Sequence, residues 1–246
     1  MKKLAARFSS LLLVGLMLLP TGVYASSSND DSVSAKPAVE GEIVQAYRVT
    51  DNGLVELSQD ELQAYKAQEE EANKSAQLEL DKDTSQKNSQ NNGAITPNAI
   101  NEYYWRYEQS TFKSAVPMDS LRKRVSPYVY NRTQDNATRA ISSSTSQTWQ
   151  ANISLSYEHK NAVTGTLGGG WSKTTTFSDT TTTTIRPNYM SWAEFTPIMD
   201  KSFGYLKEYY SLNGSVRTNK YTEIYIAREV SGRTDGILTV KTAPIN

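Results

Sequence analysis

The chain carries a single histidine, His159, with Glu158 beside it. A serine-type triad needs an imidazole that is oriented by a carboxylate and touches a serine. Neighbours on a strand point to opposite faces, and no G-x-S-x-G elbow is present. His159 therefore reads as an exposed turn residue. With one His and no Cys, multi-histidine and thiolate metal centres, disulfides and cysteine nucleophiles are excluded. A pair of carboxylates can hydrolyse glycosides without either residue type. The candidates are Glu102, Glu108, Glu194 and Glu208, and each serves equally as a salt partner at the rim of a core. Gly165–Ser172, G-T-L-G-G-G-W-S, spans a phosphate-loop length, but Trp171 stands where the lysine belongs. Glycines inside a strand signal a bulge or a close backbone approach instead. The expectation is a non-enzymatic protein with no cofactor and no metal.

Binding chemistry has two candidates. Arg122, Lys123 and Arg124 form the densest basic cluster, suited to anionic polymers of a cell envelope or to lipid headgroups. The same residues equally describe a solvated loop or a proteolysis site. Tyr104 and Trp105 lie in an aromatic run, Tyr103–Tyr107, able to stack on sugars or to sit at a membrane interface. Most of the four tryptophans, Trp105, Trp149, Trp171 and Trp192, are expected in the core.

The elements that must position these residues divide into two halves. Lys2, Lys3 and Arg7 precede the apolar run Leu11–Leu19, and Val23-Tyr24-Ala25 suits cleavage. That is the pattern of a secretory signal peptide over 1–25, too short to span a bilayer. The expected location is extracellular. Ser26–Thr96 then holds 14 acidic and 6 basic residues, and Pro97–Asn246 holds 12 and 17. An acidic N-terminal arm (26–80) is followed by a flexible linker (81–96) and a β-rich module (97–246). The balanced total charge, zero at neutral pH, argues against a nucleic-acid partner. Within the arm, strands are predicted at Glu42–Thr50 and Leu54–Leu57 around the turn Asp51-Asn52-Gly53. A helix follows from Gln59 to Asn73, opened by a Ser58–Glu61 capping box. So small a unit buries too little to stand alone. The arm is also a candidate inhibitory pro-segment masking the basic module.

In the module, Trp149, Ala151, Ile153, Leu155 and Tyr157 alternate strictly with Gln150, Asn152, Ser154 and Ser156. Period-two alternation predicts a strand. Val163, Leu167, Trp171 and Phe177 share one face of a second run, Val163–Phe177, with Glu158–Asn161 as the turn between the two. Thr174–Thr184 is extended by its β-branched residues. Further strands are predicted at Tyr189–Thr196, Phe203–Tyr210, Tyr221–Val230 and Ile237–Val240, with turn pairs Asn213-Gly214 and Asp235-Gly236. The fold class is mainly β, an antiparallel sandwich-like module preceded by a hairpin and helix and a disordered linker. The 149–177 hairpin matches a half-buried sandwich strand pair. It also matches a membrane-crossing pair with aromatics at its ends.

The Ser/Thr-rich stretch Ser142–Thr148, the alternating run Trp149–Tyr157 and Thr174–Thr184 before Arg186-Pro187 loosely resemble aerolysin-type β-pore-forming proteins. That resemblance implies an amphipathic insertion hairpin at 149–177 and a separate receptor-binding region. The signal peptide, spacer, β module and Gly170-Trp171-Ser172 also resemble uncharacterised secreted β-rich proteins of Gram-positive bacteria, which implies location rather than activity. Three functions remain open. One is binding at a cell surface or to envelope polymers through Arg122, Lys123 and Arg124, with Trp105 and Tyr104 as the second contact. Another is pore formation through Trp149, Ile153, Leu155, Tyr157, Leu167, Trp171 and Phe177. The third is a carboxylate-dependent hydrolase. The sequence leaves the oligomeric state open.

Overall fold

The structure is a computed structural model that describes residues 40–86 and 103–245. The expected signal peptide, residues 87–96 of the linker and Glu102 lie outside the described residues. In chain order the elements are β1 (Glu42–Thr50), β2 (Gly53–Glu56), α1 (Gln59–Gln86), β3 (Tyr103–Pro117), β4 (Lys123–Arg124), β5 (Val129–Asn131), β6 (Ala137–Thr148), β7 (Gln150–Ala151), α2 (Tyr157–Leu167), β8 (Thr174–Ile185), β9 (Tyr189–Tyr210), β10 (Val216–Ala227), β11 (Glu229–Val230), β12 (Arg233–Thr234) and β13 (Gly236–Pro244). The fold is mainly β and its strand pairs are antiparallel.

The spine is β9, 22 residues long. Two separate strands are expected around Pro197; the structure makes one. Proline lacks an N–H and interrupts a ladder unless it sits where no donor is needed. Pro197 sits where β9 changes partners. Before it, β9 pairs with β13 on one side, Gly236↔Pro197 to Pro244↔Tyr189, and with β4 and β5 on the other. Beyond it, β9 pairs with β10 and β3. Gly204 is required here, since a Cβ at this position would lie 2.2 Å from the Glu108 carbonyl oxygen on β3.

Among the described residues, the expected arm joins the main sheet. β1 pairs with β13 from Glu42↔Thr242 to Arg48↔Ile237 and so extends the main sheet. The Ser58–Glu61 capping box forms as expected, with Ser58 N–H and Oγ–H both donating to Glu61 Oε2 at 2.8 Å. α1 runs past the expected end at Asn73 to Gln86, into the expected linker. Ala76, Gln77 and Leu78 favour helix and no Gly or Pro stops it. Leu62 packs with Ala46, Ile198 and Ile237 on the sheet, and Glu69 accepts from Ser120 N–H at 3.0 Å and Ser120 Oγ–H at 2.6 Å.

The second layer is a ribbon of β6 and β8. Its register runs from Ala137↔Ile185 to Thr148↔Thr174 without a slip. Its inner face brings Ile141 and Phe177 onto Ala193, Phe195, Leu238, Val240 and Val49. Its outward, even-numbered face is Ser or Thr at every position except Ala140. This is the sandwich of the expected fold class: Ile141, Phe177 and Ile185 face the sheet together with buried Ser143, Gln147, Thr175, Thr181 and Thr183, and the solvated face is lined by further hydroxyl residues.

Candidate functional site

The expected 149–177 hairpin is not formed in this structure. Of the alternating run only Gln150–Ala151 is a strand, and it pairs with β10 at Tyr225 and Ile224. Asn152 then binds Glu223 twice: its N–H donates to the Glu223 carbonyl at 3.2 Å, and its Oδ1 accepts from the Glu223 N–H at 2.9 Å. The expected turn Glu158–Asn161 becomes the first turn of α2, a helix that periodicity did not predict. A polar cap starts it. Ser156 Oγ accepts from the His159 N–H, and His159 Nδ1 accepts from the Ser156 N–H, both at 3.3 Å. The reciprocal pattern is a capping box, with His in the place usually held by Glu or Gln. Gly168, at φ 79°, ends the helix. A short 3-10 turn, Gly169–Ser172, then leads to β8.

Packing overrides the period-two pattern. Val163 and Trp171 are buried with Tyr107, Leu206 and Ile224, and Trp105, Trp149, Ile153, Leu155 and Leu167 pack around them. The Trp149 and Trp171 rings meet edge to face at 4.7 Å. Trp171 Nε1–H donates to Thr164 Oγ1 at 2.9 Å, and Thr166 Oγ1–H donates to the Tyr107 carbonyl at 2.6 Å. Tyr157, at 79% exposed, stays out of this cluster. α2 owes little to its own composition. Val163, Thr164 and Thr166 are β-branched, Gly165 sits in its interior, and Val163 alone is fully buried. Such residues lower helix propensity, and an 11-residue helix is marginal without packing.

The ribbon points directly into this excursion. If the β6–β8 register is continued past Thr148↔Thr174, Trp149 falls opposite Lys173, Leu155 opposite Leu167, and the chain reverses at Asn161. Trp149, Ala151, Ile153, Leu155, Tyr157, Val163, Leu167 and Trp171 then all fall on the inner face of the ribbon, with Gly165, Gly169 and, at its outer end, Lys173. The other face receives Gln150, Asn152, Ser154, Ser156, Thr164, Thr166 and Ser172, in line with the ribbon's outward hydroxyls. No bulge is needed.

The remaining predicted residues lie elsewhere. Arg122 is engaged inward, with Nε 3.4 Å from Glu194 and NH1 3.3 Å from Asp119. Lys123 donates to the Ser146 carbonyl at 3.1 Å, and burial holds its ammonium below the ordinary range. Arg124 covers the Tyr128 ring at 4.2 Å. The three do not converge on a common anion position. Glu194 is fully buried, accepting from Trp192 Nε1–H at 2.9 Å and paired with Lys241 at 2.8 Å. Glu208 pairs with Arg217 at 3.6 Å. Glu108 pairs with Lys207 at 2.6 Å and accepts from the Tyr209 hydroxyl. Glu208 stands opposite Trp105 in the register, and Glu108, three positions further along β3, points to the other face. Among the described residues, no cluster of three His, Cys, Asp or Glu side chains could hold a metal ion.

Tyr104 and Trp105 border an open groove of about 840 Å³ between β3 and α2, with Glu158, Asn161 and Glu208 on its walls. Tyr104 stacks on Tyr209 at 5.6 Å. Trp105 meets the His159 ring edge to face at 4.3 Å, and Lys220 lies 5.8 Å from the indole centroid.

Sequence reasoning missed β6 as the partner of β8. Its only large apolar residue is Ile141, and its hydroxyl residues run on without alternation, so it carries no period-two signal. It also missed Ser156 as a helix cap, because the third residue of the box is a histidine.

No protein-family model matches the chain, and no curated protein matches it. Among solved structures, the chain is similar to a chain of the Cry23Aa1 and Cry37Aa1 binary protein complex, at 12% identity over 58% of this chain and 78% of that one, with a TM-score of 0.18.

Proposed function

We propose that this protein is secreted and acts on membranes, releasing residues 149–173 from the sheet to extend the β6–β8 ribbon into a membrane-crossing hairpin. One observation carries the reading: the ribbon's register continues through the excursion without a slip and sorts its large apolar residues onto one face, with Lys173 as the one charged residue of the crossing strands on that face, at their outer end. Trp149–Tyr157 and Gly165–Lys173 would be the crossing strands, matching the roughly 9–11 residues such strands need. The tip, 158–164, would emerge on the far side. Lipid would receive the odd-numbered apolar residues, and the even-numbered polar face would line water. A lone hairpin leaves unpaired backbone in hydrocarbon, so several copies must close a barrel. Binding at a cell surface is the first step of this reading. The exposed rings of Tyr103 and Tyr104, flanked by Arg217 and Arg106, are its candidate contact.

The test is dye release from vesicles by a chain locked in the closed form. Gln150 and Tyr225 face each other across β7 and β10, at the roughly 4.5–5.5 Å Cα separation of antiparallel partners, within disulfide reach. The natural chain has no Cys to interfere. The Gln150→Cys, Tyr225→Cys variant is expected to release dye when reduced and to be silent when oxidised. Equal release in both states would remove the hairpin as the inserting element, and no release by the natural chain from vesicles of any composition would remove the membrane reading.

A further inference from the structure

The sole histidine lies in the capping box that opens α2. We propose, resting on the membrane reading above, that His159 is an acid-sensitive latch: its protonation opens the cap of α2 and frees the 149–173 excursion.

The geometry fixes the direction. His159 Nδ1 is the acceptor for the Ser156 N–H, so in the capped state it carries no proton. Protonation makes both ring nitrogens donors, and the Ser156 N–H loses its partner. The new charge also lies at the N-terminus of α2, where the helix dipole disfavours a cation. The charged groups around the ring come from three elements. Lys220 on β10 opposes the protonated form, and Glu158 on α2 and Glu208 on β9 favour it. From β3 the ring meets the uncharged Trp105. Lys220 already lies by that indole, so protonation would place a second cation on the same ring. Burial acts in the same direction as Lys220, and together they hold the imidazole below its ordinary value of 6.5. An open state, with His159 in water, takes up its proton first. The latch is therefore complete above about pH 6.5 and weakens as the pH falls below it.

The helix that the latch caps has little propensity of its own. α2 contains Gly165 and three β-branched residues, and this box is the side-chain cap on its N-terminal turn. Protonation removes the His159 half of this box, leaving the Ser156 Oγ bond to the His159 N–H as its remaining half. The first crossing strand of the proposed hairpin ends at Tyr157, so opening this cap is one of the breaks the extension requires, beside release of β7 from β10.

The test separates the latch from the membrane reading. Amide hydrogen exchange over 157–167, corrected for intrinsic rate, is measured on the full chain without lipid at pH 7.5 and pH 5. The natural chain is expected to open roughly threefold or more at the lower pH. His159→Gln keeps an uncharged acceptor in the box and is expected to respond far less. His159→Ala, which has no acceptor, is expected to be open at both pH values. An equal pH response in the natural chain and His159→Gln, or none in the natural chain, overturns the latch. Dye release from phosphatidylcholine vesicles, run in parallel, reports on the other claim. Acid opening without release at any pH keeps the latch and removes the membrane reading. Release without pH-dependent opening does the reverse.

Discussion

Phe177 on β8 stacks on Phe195 of β9, with ring centroids 4.8 Å apart and planes 30° apart. Both side chains are buried, and with Ile141 they form the main apolar contact between the ribbon and the sheet. Replacing Phe177 by Ala removes a large side chain from a packed core, a change that costs about 3–5 kcal/mol. The expected result is a markedly lower urea midpoint. Thr176→Ala, on the outward face next to it, should change stability by no more than about 0.5 kcal/mol. A similar response at both positions would mean that the ribbon does not pack on the sheet through this face.

The role of the N-terminal segment is a second expectation. A removable inhibitory arm would leave a folded module behind. Here β1 covers β13, and Arg48 on β1 pairs with Asp235, which is fully buried and bonded again by Arg228 at 3.2 Å. Removing 26–93 would leave β13 as an open edge and take away one of the two arginines that compensate a buried carboxylate. Such losses cost about 3–5 kcal/mol. The truncated chain is expected to aggregate or to lose its cooperative thermal transition. Asp235→Asn in the full chain should lower stability by a similar route while leaving the strand pairing intact. A truncated chain that unfolds as cooperatively as the full one would restore the arm as a separable unit.

Tyr107 gives an alkaline prediction. Burial pushes its phenol up to about 12, although the 2.8 Å hydrogen bond with Ser202 pulls the other way. A phenol raised in the folded state stabilises that state below the unfolded value near 10, and the contribution is lost as the pH rises from about 10 towards 12. The thermal midpoint of the natural chain should therefore fall in that window. Tyr107→Phe should start about 1 kcal/mol less stable, for the lost hydrogen bond, and fall less steeply there. Parallel alkaline curves for the two proteins would place Tyr107 outside the core that holds α2.

What the sequence made legible follows from how local each cause is. β1 and the Ser58–Glu61 cap depend on neighbours within a few residues, and both were readable. Thr174–Thr184 was readable as extended because β-branching is a property of each residue. Pro197 misled because its tolerance depends on a change of partner strands that only the assembled sheet supplies. The alternation from Trp149 to Tyr157 misled in another way. The pattern is real, but in this state Trp171, Val163 and Leu206 collect its apolar residues into a cluster. The groove beside Trp105 was legible only as an aromatic run, since its second wall comes from α2, more than fifty positions along the chain.

Gly165 offers the most economical test of how loosely α2 is held. It lies inside the helix, its φ is not in the left-handed region, and a Cβ added there would meet nothing within 4 Å. Alanine there removes backbone freedom from the open state and adds no clash, a gain of about 0.5–1 kcal/mol. Gly165→Ala should therefore raise the thermal midpoint slightly and slow exchange over 157–167. On the membrane reading it should also slow dye release by roughly two- to fivefold, because each released copy must first melt a firmer helix. A variant that is more stable and releases dye at the natural rate would show that α2 stays folded while the protein acts. The crossing strands would then have to be sought outside 149–173.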